Sequence, residues 1–316
     1  QLAGSLASAP AGFYSAKHRW QIFSERDGIV DPRYIPDDLW YGEIVPYYSN
    51  SLFRRFGEDK CQHDLFFPNL KKPKTIVKNI AGIYYDGQMN LISKSQAAKI
   101  CKDWHDEFLI KPSIDSGEGR LIQFISSDAS KTEIDNTFDE FKANFIAQEK
   151  IHQHEDLAKL NESSLNTVRI VSFLFKNKVH ILSSILRMGA SGSRLDNIGA
   201  GGFACVIKAD GRLEAQGVNR KSEWVTQNQH GIQFKDIVVP EYDSMIELIK
   251  QEHARKAHFK LIGWDFCIDE NSDPVFIEYN VCPGQNQITS GPTFGDLTEE
   301  VLQDVFIDRE LRHAQN

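Results

Sequence analysis

The segment Pro274–Gln287, PVFIEYNVCPGQNQ, decides the fold. Its first half is an apolar run typical of a buried strand, and it places Glu278 and Asn280 two residues apart before a Pro-Gly turn. In a strand, residues i and i+2 point to the same face. The two polar side chains are therefore expected to leave the sheet together, where their oxygens can hold one cation.

Asp265, in the preceding apolar segment GWDFCID, is expected to join this pair. GWDFCID and PVFIEYN are predicted to form a hairpin around residues 271–273, and adjacent antiparallel strands bring cross-strand side chains together. Two carboxylates and an amide oxygen are hard ligands of the kind that Mg²⁺ prefers. The alternative is that Asp265 caps or solvates a strand end and Glu278 pairs with a surface lysine.

The composition is that of an ordinary soluble globular protein, with 316 residues, 41% of them hydrophobic and 25% charged. This length favours more than one domain or subdomain. The net charge of −8 argues against general nucleic-acid binding, which needs an excess of Lys and Arg. Five scattered cysteines, without a CxxC pair, predict reduced thiols.

No uninterrupted apolar segment approaches the length needed to span a bilayer, so stable membrane insertion is not expected. The opening QLAGSLASAPAGF also lacks the basic and then apolar order of a signal peptide. These two features predict a cytoplasmic protein. The oligomeric state is left open by the sequence.

Hairpin-linked strands interspersed with helices predict an α+β protein rather than a doubly wound parallel sheet. Ser93 is predicted to cap a helix that reaches Phe108, in which apolar residues recur at helical spacing. FLIKPS, TVRIVSFLF and VHILSSILRMG are predicted strands. The sequence contains no GxxxxGK[ST], GxGxxG, HExxH or GxSxG motif, so the common nucleotide folds and hydrolases lack support.

Lys111 ends the apolar strand FLIKPS and precedes the polar, glycine-containing loop SIDSGEGR. A lysine is a point charge for phosphate, and the backbone amides of such a loop can turn toward an anion. Gly117 and Gly119 permit a close approach of the backbone. Alone, a lysine at a strand end is usually structural. Combined with the Asp, Glu and Asn set, it predicts a nucleoside triphosphate site in two halves.

The order of these motifs resembles the ATP-grasp enzymes, which include D-alanine:D-alanine ligase, and within them the sugar-transfer-associated ATP-grasp branch. The motifs are Asp59-Lys60, FLIKPS with its loop, QEKI, GWDFCID and FIEYNVCPG. The resemblance implies an α+β ATP-grasp fold in which two α+β subdomains grip ATP between them. The implied divisions are an N-terminal helical or irregular extension over 1–58, N-terminal subdomains with a Gly-rich flap over 59–150, and a C-terminal subdomain with the Mg²⁺ site over 151–316.

The resemblance also implies the ATP-binding residues. Two lysines hold the phosphates, a flap closes over them, a hinge reads adenine through backbone groups, and Glu149 or Asp156 binds the ribose. The phosphate, flap and hinge residues are Lys60 and Lys111, then Ser113, Ser116, Gly117 and Gly119, then Gln148, Glu149, Lys150 and Ile151. Whether Lys60 or Lys78 is the first phosphate lysine stays open, with Lys60 preferred. Asp265, Glu278 and Asn280 resemble the Mg²⁺ ligands.

One departure from D-alanine:D-alanine ligase concerns catalysis. That enzyme carries an arginine two residues before the first metal acid, where this sequence has Gly263. Arg169 and Arg187 are the candidate replacements, because a cation in an apolar strand is otherwise expensive. Lys111, through its contact with the phosphates, is the third residue expected to act in catalysis. The alternative for each arginine is a structural ion pair.

Two further stretches carry weaker hypotheses. The loop RLDNIGAGG is expected to shape an acceptor pocket in which Arg194, Asp196 and Asn197 face substrate, together with Gly201 and Gly202, although a plain connection is equally consistent. His152 and His154 are expected on one strand face, and one interpretation is a metal pair. Polar residues just beyond the hinge are the favoured interpretation, because no third ligand is evident.

The resemblance implies an ATP- and Mg²⁺-dependent carboxylate-amine ligase that forms an amide through an acyl-phosphate. Its substrates would be a small carboxylate and an amine, with a sugar acid or amino acid as one partner, and the branch name implies cell-surface polysaccharide pathways. Two alternatives remain, an ATP-grasp kinase that phosphorylates a hydroxyl and a nucleotide-binding module without turnover.

Overall fold

The computed structural model describes residues 31–114, 121–190, 192–196, 201–219 and 221–308. Contacts within the chain separate two compact units, Gln1–Tyr48 with Gly284–Asn316 and Ser49–Pro283. Every candidate site residue belongs to Ser49–Pro283. The predicted divisions at residues 58 and 150 stay a prediction, and residues 1–30 of the predicted extension lie outside the described part.

In the first unit, short helical segments surround Trp40. Its ring packs against Phe294 with the ring centroids 5.7 Å apart. The Gln287 side chain accepts from the Ile35 backbone NH and donates to the Ile35 carbonyl. The segments are α1 Asp37–Leu39, a π-helical turn Trp40–Ile44, α2 Val45–Tyr48, α9 Gln287–Ser290, a 3-10 turn Gly295–Leu297, α10 Thr298–Gln303 and a π-helical turn Asp304–Asp308.

The unit Ser49–Pro283 contains two antiparallel sheets. The six-stranded sheet has the order β3-β2-β1-β6-β4-β5. Its strands are β1 Thr75–Ile80, β2 Ile83–Asp86, β3 Leu91–Ile92, β4 Phe108–Pro112, β5 Gln123–Ile125 and β6 Phe145–Glu149. The seven-stranded sheet has the order β11-β10-β9-β8-β7-β12-β13. Its strands are β7 Thr167–Phe175, β8 Lys178–Met188, β9 Phe203–Ile207, β10 Leu213–Asn219, β11 Trp224–Val225, β12 Leu261–Ile268 and β13 Pro274–Asn280.

Helices complete this unit and cover the sheets. They are α3 Ser51–Gly57, a 3-10 turn Lys60–Gln62, α4 His63–Phe66, α5 Lys94–Lys102, α6 Lys131–Phe141, α7 Glu155–Ala158, a 3-10 turn Phe234–Asp236 and α8 Tyr242–His253. Together with the antiparallel sheets they confirm the predicted α+β class. In the described residues, no helix is both long and apolar enough to cross a bilayer.

Each sheet has its own hydrophobic core. On the six-stranded sheet, Phe108 and Phe145 pack with Phe138 of α6. On the seven-stranded sheet, Ile249 of α8 packs with Trp264 of β12. Burial of large apolar side chains contributes about 1.5–3 kcal/mol each. Two separate cores on two sheets fix the strands from which the candidate site residues project.

The helix predicted from Ser93 begins as expected but ends earlier. The Ser93 hydroxyl accepts from the Gln96 NH, and the Gln96 side chain accepts from the Ser93 NH, which completes a capping box. The helix ends at Lys102, so the prediction that it reaches Phe108 is wrong. Phe108 instead starts β4 between Ile125 and Glu149, and only 1% of it is exposed, because sheet pairing buries its ring.

A buried hydrogen-bond chain fixes the protonation of His253. Its Nε2 lies 2.9 Å from the Phe259 carbonyl, which only accepts, so Nε2 carries the proton. Its Nδ1 then accepts from the Ser172 hydroxyl at 2.7 Å, and that hydroxyl oxygen accepts from the Trp264 indole NH at 2.7 Å. Burial lowers the pKa of His253 from 6.5 to about 4.

His253 is therefore expected to make stability depend on pH. The unfolded chain binds a proton below pH 6.5 and the folded chain only near pH 4, so stability present above pH 6.5 is lost as the pH falls toward 4, by about 3 kcal/mol. Urea unfolding at several pH values checks this. A His253→Gln variant should lose less stability over that window than the parent, while His230→Gln, on the surface, should follow the parent. Equal pH slopes for His253→Gln and the parent would refute this assignment.

Candidate active site

Strands β12 and β13 bring the three candidate metal ligands to one face of the seven-stranded sheet. Asp265 and Glu278 are cross-strand partners in the register, and Asn280 pairs with Gly263 two residues farther along. Directly opposed residues of an antiparallel pair share a face, as do residues i and i+2. The three oxygen-bearing side chains therefore start from neighbouring positions.

Asp265 is held by two arginines, one from the neighbouring strand β7 and one from β8, the next strand beyond it. Arg169 of β7 is its cross-strand partner, and its guanidinium donates to both carboxylate oxygens, through Nε and, at 2.6 Å, through Nη2. Arg187 Nη2 of β8 lies 3.3 Å from Asp265 Oδ2. Only 1% of the Asp265 side chain is exposed. A carboxylate buried this deeply needs such partners, because removal of its hydration is otherwise costly.

Arg187 has a second set of partners. Its Nε and Nη2 donate to Thr167 Oγ1 at 3.0 and 2.9 Å, and its Nη2 lies 3.2 Å from Asp196 Oδ2. Burial alone would lower the pKa of Arg187, but the charges of Asp265 and Asp196 outweigh burial and raise the pKa above its ordinary value. Arg187 is thus a permanent cation at this face.

Glu278 is paired with Lys60. Lys60 Nζ lies 2.9 Å from Glu278 Oε2, and the Lys60 side chain is 8% exposed. A short turn positions this lysine, because the Asp59 carboxylate caps the turn and the Lys60 NH donates to the Ser113 carbonyl at the end of β4. Burial would raise the pKa of Glu278, but the charges of Lys60 and Lys111 outweigh burial and hold the pKa at about 2.

Lys111, the other predicted phosphate lysine, projects from β4 of the six-stranded sheet. Lys111 is the cross-strand partner of Ile146 in β6, and 7% of its surface is exposed. Burial and the charge of Lys60 lower the pKa of Lys111 from 10.5 to about 8, while the Glu278 charge opposes them. Lys60, Lys111 and Glu278 are therefore close enough to interact electrostatically across the two sheets.

Lys78, the alternative first phosphate lysine, has other partners. Its Nζ lies 2.8 Å from Asp64 Oδ2 and donates to the Cys61 carbonyl at 3.0 Å. Only 1% of Lys78 is exposed. These contacts make Lys78 a structural cation beneath the turn Lys60–Gln62. The contact with Glu278 favours Lys60 as the phosphate lysine.

The predicted adenine hinge lies at the end of β6. Gln148 is buried in the strand, and Ile151 follows it as a half-buried residue. The Glu149 carboxylate accepts from the Lys74 NH at 2.8 Å, and Lys150 Nζ binds Glu107 at 2.8 Å. Backbone groups at the end of the strand are what the hinge hypothesis requires.

The two candidate ribose acids are both engaged. Glu149 binds the Lys74 backbone, and Asp156, in the first turn of α7, pairs with Lys159. His154 caps α7 and is not in a strand, so the expectation that His152 and His154 share a strand face is wrong. Strand β6 ends at Glu149, before either histidine.

The flap and acceptor-loop predictions are only partly covered by the described residues. Ser113 is buried beside Lys60, whereas Ser116, Gly117, Gly119 and Asn197 lie outside the described part. Gly201 has φ +96°, a left-handed conformation that favours glycine, and Gly202 is buried.

Arg194 contacts the six-stranded sheet. Its guanidinium carbon lies 3.6 Å from the centroid of the Phe124 ring, and its Nη2 lies 2.7 Å from Glu107 Oε2. Glu107 also binds Lys150, so Arg194 is linked through it to the hinge. Its proposed contact with substrate stays a prediction.

The lack of a side chain at Gly263 leaves room for Arg169 beside Asp265. A Cβ atom at this position would lie 2.9 Å from Pro283 Cβ and 3.6 Å from Arg169 Cδ. The Arg169 side chain therefore passes close to Gly263, where a side chain would crowd it. Asp196, which was predicted to face substrate, pairs with Arg187, and its contact with substrate stays a prediction. Thr167, which was not predicted as a site residue, accepts from the same guanidinium. The alternation in TVRIV, which puts Thr167 and Arg169 on one face, was the available signal.

The donor chemistry of this face fits Mg²⁺. Two carboxylates and one amide start from adjacent positions, and oxygen donors of this kind suit a hard cation. Within the described ranges, no three His, Cys, Asp or Glu side chains converge as metal ligands, so the third protein donor of this site would be Asn280. A bound cation would compete with Arg169, Arg187 and Lys60 for the two carboxylates.

Two antiparallel sheets in an α+β chain, each contributing a buried lysine or acid to one site, are the features of an ATP-grasp protein. The sequence matches the family described as sugar-transfer associated ATP-grasp over residues 52–302. The chain belongs to that family.

Similar solved structures include three ATP-grasp proteins. The biotin carboxylase domain of Hydrogenobacter thermophilus 2-oxoglutarate carboxylase, solved with MgADP, ADP and bicarbonate, is 15% identical over 73% of this chain and 41% of that one, with a TM-score of 0.44. Vibrio cholerae D-alanyl-alanine synthetase A is 12% identical over 79% and 64%, with a TM-score of 0.44. A D-cycloserine synthetase is 11% identical over 78% and 71%, with a TM-score of 0.46.

The chain spans less than two thirds of the length of the first two of these structures. The similarities concern the fold and carry no information about substrate. A comparison with curated proteins finds no match.

Proposed function

We propose that this protein is an ATP- and Mg²⁺-dependent, ADP-forming carbon-nitrogen ligase that joins a carboxylate to an amine through an acyl-phosphate. One observation carries the proposal. The face that holds Asp265 and Glu278 also holds Lys60, Arg169 and Arg187, so anion-binding cations and oxygen donors for a metal lie together.

In this proposal, separate groups of residues bind the phosphates, the adenine and the metal ion. Lys60 and Lys111 would absorb charge on the phosphates, and Ser113 would begin the flap that excludes water. Gln148 to Ile151 would read adenine. Asp265, Glu278 and Asn280 would hold Mg²⁺, which when bound neutralises charge on the phosphates.

Arg169 and Arg187 favour the ligase over a kinase. A substrate carboxylate attacks the γ-phosphate to give an acyl-phosphate and ADP, and the amine then displaces phosphate to form the amide. A guanidinium can orient the carboxylate and stabilise the oxyanion of the second step. A kinase would need a base for a substrate hydroxyl, and both Asp265 and Glu278 are already neutralised by cations.

The acceptors in this proposal are small molecules, with a sugar acid or an amino acid as one partner. The family description names an association with sugar transfer, and a role in sugar-conjugate or cell-surface polysaccharide synthesis belongs to this proposal. A cytoplasmic location belongs to the same proposal, because that compartment supplies ATP.

Trapping with hydroxylamine tests the reaction class. The protein is incubated with Mg-ATP, pooled amino acids and sugar acids, and hydroxylamine, and the products are analysed by mass spectrometry. Hydroxylamine displaces phosphate from an acyl-phosphate, so a hydroxamate is expected to form in step with ADP, and the hydroxamate names the carboxylate. EDTA should abolish both products.

Other outcomes of this experiment would contradict the ligase. ADP with a phosphorylated metabolite and no hydroxamate would indicate a kinase. Tight Mg-ATP binding without ADP formation from any pool would indicate a nucleotide-binding module.

A further inference from the structure

We propose that Asp265 occupies the acceptor's carboxylate site until metal and nucleotide bind, so that Mg-nucleotide binding and carboxylate binding are cooperative. This inference rests on the proposed function. It assigns Arg169 as the main carboxylate-binding residue of the acceptor site and makes its release from Asp265 the step that opens that site.

The contact between Arg169 and Asp265 has the geometry of ligand recognition. The guanidinium donates from Nε and Nη2 to the two oxygens of one carboxylate, which is the bidentate arrangement that arginine offers to any carboxylate. The Arg169 side chain is 14% exposed, so its charge is largely removed from water. A carboxylate from a substrate could replace that of Asp265 without a change in chemistry.

The Arg169 guanidinium and the proposed metal ion compete for the carboxylate of Asp265. The proposed metal site uses it together with Glu278, its cross-strand partner. A guanidinium that stays bidentate on that carboxylate places a positive charge against the incoming dication, and like charges at such distances repel in a partly buried site. Metal binding is therefore expected to weaken or break the Arg169 contact.

Arg187 is less dependent on Asp265. When Asp265 moves to the metal, Arg187 keeps Thr167 Oγ1 and the Asp196 carboxylate. Arg169 makes its described ion pair with Asp265 alone, and the other carboxylate whose charge it feels, Glu278, is itself a proposed metal ligand. A buried guanidinium left without an anion is costly, and an acceptor carboxylate would remove that cost.

Gly263 leaves space for the Arg169 guanidinium after its release from Asp265. The absence of a side chain at this position lets Arg169 lie over the strand beside Pro283. After its release from Asp265, the Arg169 guanidinium would thus stay at the face where Asp265 and Glu278 would hold the metal. It would also lie near the phosphates of a bound nucleotide.

Binding of Mg-AMPPNP tests the competition without an acceptor. In Arg169→Gln, the metal no longer has to displace a guanidinium, so Mg-AMPPNP is expected to bind about 10-fold more tightly in isothermal titration calorimetry. Without Mg²⁺, AMPPNP should bind more weakly to the variant than to the parent, because Asp265 is less neutralised. Arg169→Lys keeps the positive charge but cannot make the bidentate contact, so its affinity for Mg-AMPPNP should rise less.

The controls separate this inference from the function on which it rests. Arg212→Gln, an exposed arginine paired with Asp210, should bind Mg-AMPPNP like the parent. Thermal unfolding shows that each variant is folded at the titration temperature. If the parent does not bind Mg-AMPPNP, the proposed function fails. If the parent binds and both Arg169 variants bind more weakly, only the competition is overturned, because Arg169 then contacts phosphate.

Acetate, the simplest carboxylate probe, tests the cooperative arm. At matched ionic strength, about 100 mM acetate in place of chloride is expected to tighten Mg-AMPPNP binding to the parent several-fold, within the usual range of coupling between sites. Arg169→Gln should show no such difference. Equal affinities of the parent in acetate and chloride would overturn the assignment of Arg169 as a carboxylate site.

Discussion

Replacing Glu278 with glutamine is expected to lower Mg-ATP turnover by at least about 100-fold. The pKa of Glu278 is held at about 2 by Lys60 and Lys111 against the effect of burial, so the carboxylate is charged at every working pH. Glutamine keeps the shape and one oxygen but removes that charge from the metal site. ADP release at saturating substrate and Mg²⁺ measures the loss.

The Glu278→Gln variant needs a stability control. Lys60 and Lys111 lose their shared anion, and removal of one partner of a buried pair can cost about 3–5 kcal/mol. Urea unfolding first establishes that the variant is folded under assay conditions. Asp139→Asn, which removes an exposed partner of Lys94, should keep parental turnover and stability. A folded Glu278→Gln variant with parental turnover would contradict the metal site.

Replacing Lys111 with methionine is expected to lower kcat/KM for Mg-ATP by at least about 100-fold and, at the same time, to stabilise the protein. Lys111 would lose its charge on the phosphates. In the free protein, however, its buried charge is unfavourable, since its pKa is lowered from 10.5 to about 8. That difference corresponds to about 3 kcal/mol at pH 7.

The sign of the Lys111 effect follows from proton linkage. Between pH 8 and 10.5 the unfolded chain holds a proton that the folded chain has released, so stability of the parent rises with pH across this window. Lys111→Met should lack that rise and unfold at higher urea concentration at pH 7. Lys102→Met, an exposed lysine, should change neither property. Loss of both activity and stability in Lys111→Met would mean that Lys111 is structural.

Local patterns were sufficient for the strands that carry the site. The alternation in PVFIEYN puts Glu278 and Asn280 on one face, and the hairpin from GWDFCID brings Asp265 beside them, as the structure shows. Both relations depend on neighbouring residues or on a short turn. Such patterns also identified Ser93 as a helix cap.

Contacts between segments far apart in the sequence could not be predicted from local patterns. The pairing of Arg169 with Asp265 depends on the register of β7 against β12, which lie far apart in the sequence. The contact of Arg194 with Phe124 and Glu107 joins two sheets with separate cores. The early end of α5 has the same origin, because Phe108 is taken into β4 by tertiary pairing.

A crystal structure with Mg²⁺ and AMPPNP would test directly whether these side chains form an ATP site. We expect phosphates at Lys60 and Lys111, a metal ion bound by Asp265, Glu278 and Asn280, and an Asp265 carboxylate that has left Arg169. A nucleotide bound away from these side chains, or Asp265 and Glu278 still paired with Arg169 and Lys60 beside a bound nucleotide, would contradict it.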